Sequence, residues 1–148
     1  MIAVLPRHLG HVPVLSERFP ALRMVLDHLA HPPLSGADAG RWRALITAAA
    51  ANPLVHAKVS GLYPPGPRTS EDIRGVVEFA FDVFGADRLM FGSDWPVAEL
   101  GGGYLRVWTE LSRLFDPLTA PEREAILGGT ATRFYGLAPR GSLAADAG

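Results

Sequence analysis

Arg88-Leu-Met-Phe-Gly-Ser-Asp-Trp-Pro-Val97 sets a short apolar run, Leu89 to Phe91, directly against Gly92-Ser93-Asp94 and then Trp95-Pro96. An ionised carboxylate beside a dry strand is costly unless something pairs with it or uses it. The stretch reads as a buried strand whose carboxyl end carries a working group. The pattern recurs upstream. Arg23-Met-Val-Leu-Asp-His28 is a candidate strand ending in Asp27 and His28, and Leu54-Val-His-Ala-Lys-Val-Ser60 is another, carrying Lys58 and Ser60. Ile2 to Leu5 makes a further short apolar run.

Segments of helical period separate these runs. His8 to Phe19 is expected to be a helix stopped by Pro20, and Trp42, Leu45, Ile46 and Ala49 recur at i, i+3, i+4, i+7, ending near Asn52-Pro53. Ser70-Glu-Asp72 reads as a helix start, with Ile73, Val76, Val77, Ala80 and Phe84 as its core stripe and Gly85 just past its end. After Gly101-Gly-Gly103 come a helix carrying Leu105, Trp108 and Leu111 and a last one opened by Thr119-Ala-Pro-Glu122, which has capping-box spacing. Four strand-to-helix units with strands apolar on both faces mean a parallel sheet. An open doubly wound sheet and part of a β/α barrel both satisfy this; chain length favours the first and the polar strand ends favour the second.

In either architecture the working rim lies at the carboxyl ends of the strands. Singly, each polar residue there has a plain reading: a hydrogen-bonded His28, a loop-capping Asp94, a Lys58 whose stem runs out to solvent. Together on one rim they make a site. A carboxylate there can act as general base on water while an imidazole polarises a carbonyl, or both can ligate a divalent ion. Catalytic zinc takes three protein ligands, and none of the five histidines (His8, His11, His28, His31, His56) forms a His-x-His pair. His8 and His11 share a solvated helix face, His31 is a secondary candidate beside Pro32-Pro33, and His56 lies lower on the strand that carries Lys58 and Ser60 on the same face. Trp95 is expected to seal the loop that Pro96 rigidifies.

The 148 residues are 48% hydrophobic and 20% charged with a net charge of -1, which argues against a nucleic-acid face or an anionic membrane surface as the main partner. There are no cysteines, so disulfides, thiolate metal sites and a Cys nucleophile are excluded. No Gly-x-Gly-x-x-Gly follows a strand, and there is no Gly-x-Ser-x-Gly elbow. With no 18-residue apolar run and no signal-like leader, the chain is expected to be cytoplasmic.

Phe19-Pro20 leading into Val25-Leu-Asp-His28 with Pro32-Pro33, Lys58-Val-Ser-Gly-Leu62, Phe84-Gly-Ala-Asp-Arg-Leu-Met-Phe-Gly-Ser-Asp-Trp-Pro96 and Ala131-Thr-Arg-Phe-Tyr135 resemble, in this order, the amidohydrolase-related family that includes sugar-lactone and pyrone-dicarboxylate lactonases. The resemblance implies an α/β fold that is about half of a TIM-type β/α barrel, truncated at the N-terminus, over residues 1–137; residues 138–148 are expected, as a chain terminus, to be a flexible tail. It implies His28 and Asp94 as catalytic residues, Asp94 being the base for water, and as metal ligands where a divalent ion such as zinc or manganese is bound. Lys58, Ser60 and Trp95 are the expected contacts to a small-molecule lactone or related carbonyl substrate. One departure is Ala30-His31, where relatives tend to have Gly-Lys; another is the His-x-His strand with which the family opens, which this sequence does not contain. A half barrel leaves open strand edges, so the chain is expected to need a complementing N-terminal half or a second copy. The competing reading is a non-catalytic α/β module that oligomerises through those edges.

Overall fold

The computed structural model describes residues 5–34, 36–63 and 69–137. Its centre is a parallel three-stranded sheet in the order β1 (Met24–Leu26), β2 (Val55–Val59), β3 (Leu89–Phe91). Met24 pairs with Val55, and Ala57 pairs on its other side with Leu89. The fourth expected strand, Ile2 to Leu5, falls almost wholly outside the described residues, as does the tail. α2 (Ala37–Ala50) connects β1 to β2 and α3 (Ser70–Phe84) connects β2 to β3. α1 (His11–Arg18) precedes β1, and α4 (Tyr104–Phe115) follows β3.

Alternation along the strands divides the sheet into two faces. Met24, Leu26, Val55, Ala57, Val59 and Leu89 join one apolar cluster with Trp42 and Ile46 of α2 and with the α3 stripe Ile73, Val76, Val77, Ala80 and Phe84. By register Val25, His56, Lys58 and Met90 share the other face. That face carries the two ionisable side chains of β2.

Several expected boundaries move. The first helix begins at His11, not His8, after a 3-10 turn over Pro6–His8, and Pro13 sits within its first turn, where the missing N–H costs nothing. α3 is capped by Thr69 rather than Ser70, the Asp72 carboxylate accepting from the Thr69 N–H at 2.7 Å and from its hydroxyl at 3.0 Å. Ser70 instead donates its N–H to Glu110 Oε2 at 2.7 Å, tying α3 to α4. The inward stripe of α4 is Val107, Leu111, Leu114 and Phe115, while Leu105 is 75% exposed. The last helix opens as expected at Thr119, whose N–H donates to Glu122 at 2.9 Å. It runs as α5 (Ala120–Glu124), a π turn over Ala125–Gly129 and α6 (Thr130–Tyr135).

This last segment closes the amino-terminal end of the sheet. Thr130 donates to Ala86 O at 3.0 Å, Arg133 pairs with Asp87 at 2.8 Å, and Phe134 stacks on His56 at 4.7 Å with the Arg23 guanidinium over its ring. Arg88 then ties the helix ends to the strand that bears the site. Its guanidinium donates to Ala50 O at 2.7 Å, Val83 O at 2.9 Å and Phe84 O at 3.0 Å, the carbonyls left open where α2 and α3 stop. Replacing Arg88 by Met leaves these part-buried carbonyls without donors, and we expect a loss of about 2–4 kcal/mol in urea unfolding. A loss within about 0.5 kcal/mol of zero, the scale of ordinary surface changes, would remove the clamp from the account.

Candidate active site

At the carboxyl end of the sheet the three strand ends enclose a cavity of about 320 Å³, lined by Asp27, His28, Lys58, Ser60, Gly92, Ser93, Asp94 and Trp95. All five candidate site residues border it. Asp27 continues the parity of Val25, so it faces Lys58, and the two form an ion pair at 2.9 Å. Asp27 is only 7% exposed, and a carboxylate so buried requires such a partner.

His28 reaches the cavity through an unusual backbone. Residues 28 to 31 all have positive φ, between 48° and 57°, with no glycine among them. A left-handed turn in L-residues costs roughly 1–2 kcal/mol per residue, so the surroundings must hold it. Two contacts do so. Trp42, 1% exposed on α2, donates its indole N–H to Leu29 O at 2.9 Å, and Leu29 and Ala30 are fully buried in the core. The His31 N–H closes the turn on His28 O at 2.8 Å.

The turn swings the His28 ring over β2, where Nδ1 lies 2.9 Å from Ser60 Oγ. Two glycines make room. A Cβ on Gly61 would stand 2.5 Å from His28 Nδ1, and one on Gly92 would stand 2.9 Å from Ser60 Cβ. Across the cavity His28 Nε2 lies 3.6 Å from Asp94 Oδ1, their side chains 24% and 21% exposed. Asp94 is held at φ 59° by its own carbonyl accepting from the Ala98 N–H at 2.8 Å, and the preceding Ser93 Oγ accepts from the Trp95 N–H at 3.3 Å.

That 3.6 Å separation is long for a hydrogen bond. It is close to the roughly 3.4 Å that two bonds of about 2.0–2.2 Å impose at a tetrahedral metal. In the tautomer that carries its proton on Nδ1 and donates it to Ser60, the imidazole presents the Nε2 lone pair to the cavity, the arrangement that metal-ligating histidines take. His28 and Asp94 thus fit as two members of a ligand set. Among the described residues no group of three or more His, Cys, Asp or Glu side chains is placed to hold an ion.

Other expectations change. Trp95 is 69% exposed and does not seal its loop; it stands on the cavity rim. His31 stacks on His28 with ring centroids 5.1 Å apart, and partial burial, followed by the His28 charge, lowers its pKa. The Asp27 pairing and the glycine cradle were not anticipated. Both were signalled: Asp27 and Lys58 each sit at a strand end, and a glycine follows the last residue of β2's polar row and of β3.

His56, at the opposite end of β2, has a lowered pKa, mainly through burial and offset in part by the nearby Leu54 backbone. Its neutral form is favoured in the folded state, so the unfolded chain binds the extra proton first. Stability is complete above the unfolded value of about 6.5 and falls as pH drops below it. His31 acts in the same sense. We expect the urea midpoint to fall between about pH 7.5 and pH 5, and His56→Leu to flatten that slope; equal slopes in the two proteins would refute the assignment. For the rim, Ser60→Ala is expected to change the His28 tautomer distribution in side-chain 15N spectra while leaving His8 and His11 unaltered. An unchanged His28 pattern would deny Ser60 this role.

A family model for amidohydrolases matches residues 1–137. The chain is 38% identical over 140 residues to an L-fucono-1,5-lactonase of Burkholderia ambifaria, covering 89% of this chain and 48% of that protein. A second L-fucono-1,5-lactonase, from Burkholderia multivorans, is 40% identical over 149 residues, covering 92% and 50%. The crystal structure of a zinc-bound amidohydrolase from Burkholderia multivorans superposes with a TM-score of 0.84 at 38% identity, over 93% of this chain and 52% of that one. The chain spans about half the length of the curated relatives it matches. Its three parallel strands alternating with helices are part of a TIM-type β/α barrel. No helix among the described residues is long and apolar enough to cross a membrane. The chain belongs to the amidohydrolase family.

Proposed function

We propose that this chain carries the general base and one imidazole of a lactone hydrolase of the amidohydrolase family. The observation that carries the reading is the approach of His28 Nε2 and Asp94 Oδ1 to 3.6 Å across a cavity at the strand ends. The relatives named L-fucono-1,5-lactonase make a sugar lactone the first substrate to test.

Asp94 takes a proton from a water in the cavity, and the water oxygen forms a bond to the lactone carbonyl carbon. The ring C–O bond then breaks, and Asp94 returns the proton to the departing ring oxygen, giving an open hydroxy acid. His28, oriented by Ser60, contacts the carbonyl side of the substrate. Lys58, steadied by Asp27, presents an ammonium to the carbonyl or ring hydroxyls, and the exposed Trp95 indole covers the sugar face. In this reading Ser60 works through His28 more than on the substrate itself. His28 and Asp94 are also the residues that would hold zinc or manganese, which supplies Lewis-acid polarisation and a more acidic water when bound. Two donors are fewer than the three of a catalytic zinc site, so the full set draws on groups besides these. The chain is therefore proposed to turn over only with a complementing half of the barrel.

The test is hydrolysis of L-fucono-1,5-lactone by the chain mixed with the polypeptide matching the other half of the Burkholderia multivorans relative, with zinc or manganese added. Turnover is expected in the mixture, and Asp94→Asn should lower kcat by about 10²–10⁴-fold with unchanged circular dichroism. Hydrolysis retained in Asp94→Asn would exclude Asp94 as the base.

A further inference from the structure

A second cavity, of about 360 Å³, adjoins the first through the stacked rings of His28 and His31. Three segments form it: the turn at Leu5 to Arg7, the stretch from His31 to Pro33, and the amino-terminal part of α2 with Asp38, Arg41, Trp42 and Leu45. One wall is apolar. Trp42 has given its indole N–H to Leu29, so it offers ring carbon, and Leu45 extends that surface. The polar groups are two guanidinium ions, Arg7 and Arg41, against one carboxylate, Asp38. Among the described residues neither the Arg41 nor the Asp38 side chain makes a hydrogen bond or ion pair, while Arg7 donates its Nε–H to His8 Nε2 at 3.1 Å and keeps its two terminal NH2 groups for a ligand. The volume lies within the range of small-molecule sites.

We infer that this cavity is a subsite for a small organic carboxylate, its acid group on Arg41 and Arg7 and its carbon skeleton against Trp42 and Leu45. A guanidinium fork matches a carboxylate in two parallel hydrogen bonds, and the apolar wall favours a carbon-bearing acid over inorganic phosphate. His31 borders the cavity, where its ring nitrogens can hydrogen-bond beside the acid. The inference goes beyond the hydrolase reading and does not depend on turnover, because it concerns binding alone. The acid is either a carboxylate carried by the substrate or its product, or a separate small acid.

The experiment is a 15N-NMR titration of the chain with glutarate, with uncharged glutaramide as control. Saturable shifts are expected at Arg41, Trp42, Leu45 and His31 with glutarate only. The double substitution Arg7→Met with Arg41→Met should weaken binding by about tenfold or more, and Arg41→Lys, which keeps the charge and loses the fork, should weaken it less. Because the titration reads binding to the chain without the complementing half, added metal or lactone, its outcome is separate from the fate of the hydrolase reading. A carboxylated lactone that competes with glutarate and also shifts Ser93 and Asp94 assigns the site to the substrate; simultaneous binding of both assigns it to a separate acid, and either keeps carboxylate recognition. Absent saturation, equal response to glutaramide, or undiminished binding in the double and the Arg41→Lys variants would overturn it.

Discussion

The hydrogen bond from the Trp42 indole to the Leu29 carbonyl is the contact on which the active rim depends. It crosses from α2 to the turn after β1 and helps hold four consecutive non-glycine residues in the left-handed region. A right-handed or extended path from Leu26 would point the imidazole elsewhere. The turn is stabilised from below by Leu29 and Ala30, both fully buried, and from the side by an indole that is itself core. Local strain is thus offset by tertiary packing, the usual arrangement where a side chain must be aimed.

From that turn follows a division of labour along the sheet. At the carboxyl end, the segment after β1 contributes Asp27 and His28, β2 and the residue after it contribute Lys58 and Ser60, and the loop after β3 contributes Asp94: the ion pair Asp27–Lys58, and beside it the row Ser60–His28–Asp94 centred on the His28 ring. At the amino end, α6 packs on the turn before β3 through Thr130 and Arg133 and on His56 of β2 through Phe134, whose ring also carries the guanidinium of Arg23, the residue before β1. Arg88 sits between these roles: its side chain closes two helix ends while its backbone begins the strand that places Asp94. Stability and chemistry are separated by the length of a short strand, as in barrels generally.

Much of this was legible from residue order. Apolar runs located β1, β2 and β3, helical periodicity located the buried faces of α2 and α3, and period-two alternation put His56, Lys58 and Ser60 on one face. The left-handed turn was not legible, because Asp27-His28-Leu29-Ala30-His31 contains no glycine and each residue prefers another conformation; only the packing of Leu29 and Trp42 selects it. Trp95 was misjudged because aromatic size predicts burial on average, whereas a rim position exposes it. Thr69 was overlooked as a cap because Ser70 has the same chemistry one residue later.

The central claim is spatial: the imidazole of His28 and the carboxylate of Asp94 share one cavity mouth. The most direct measurement is the side-chain 15N spectrum of the histidines in Asp94→Asn at fixed pH. The account predicts that the His28 Nε2 resonance moves while those of His8, His11 and His56 stay in place. A His28 resonance unmoved by loss of the Asp94 charge would contradict it.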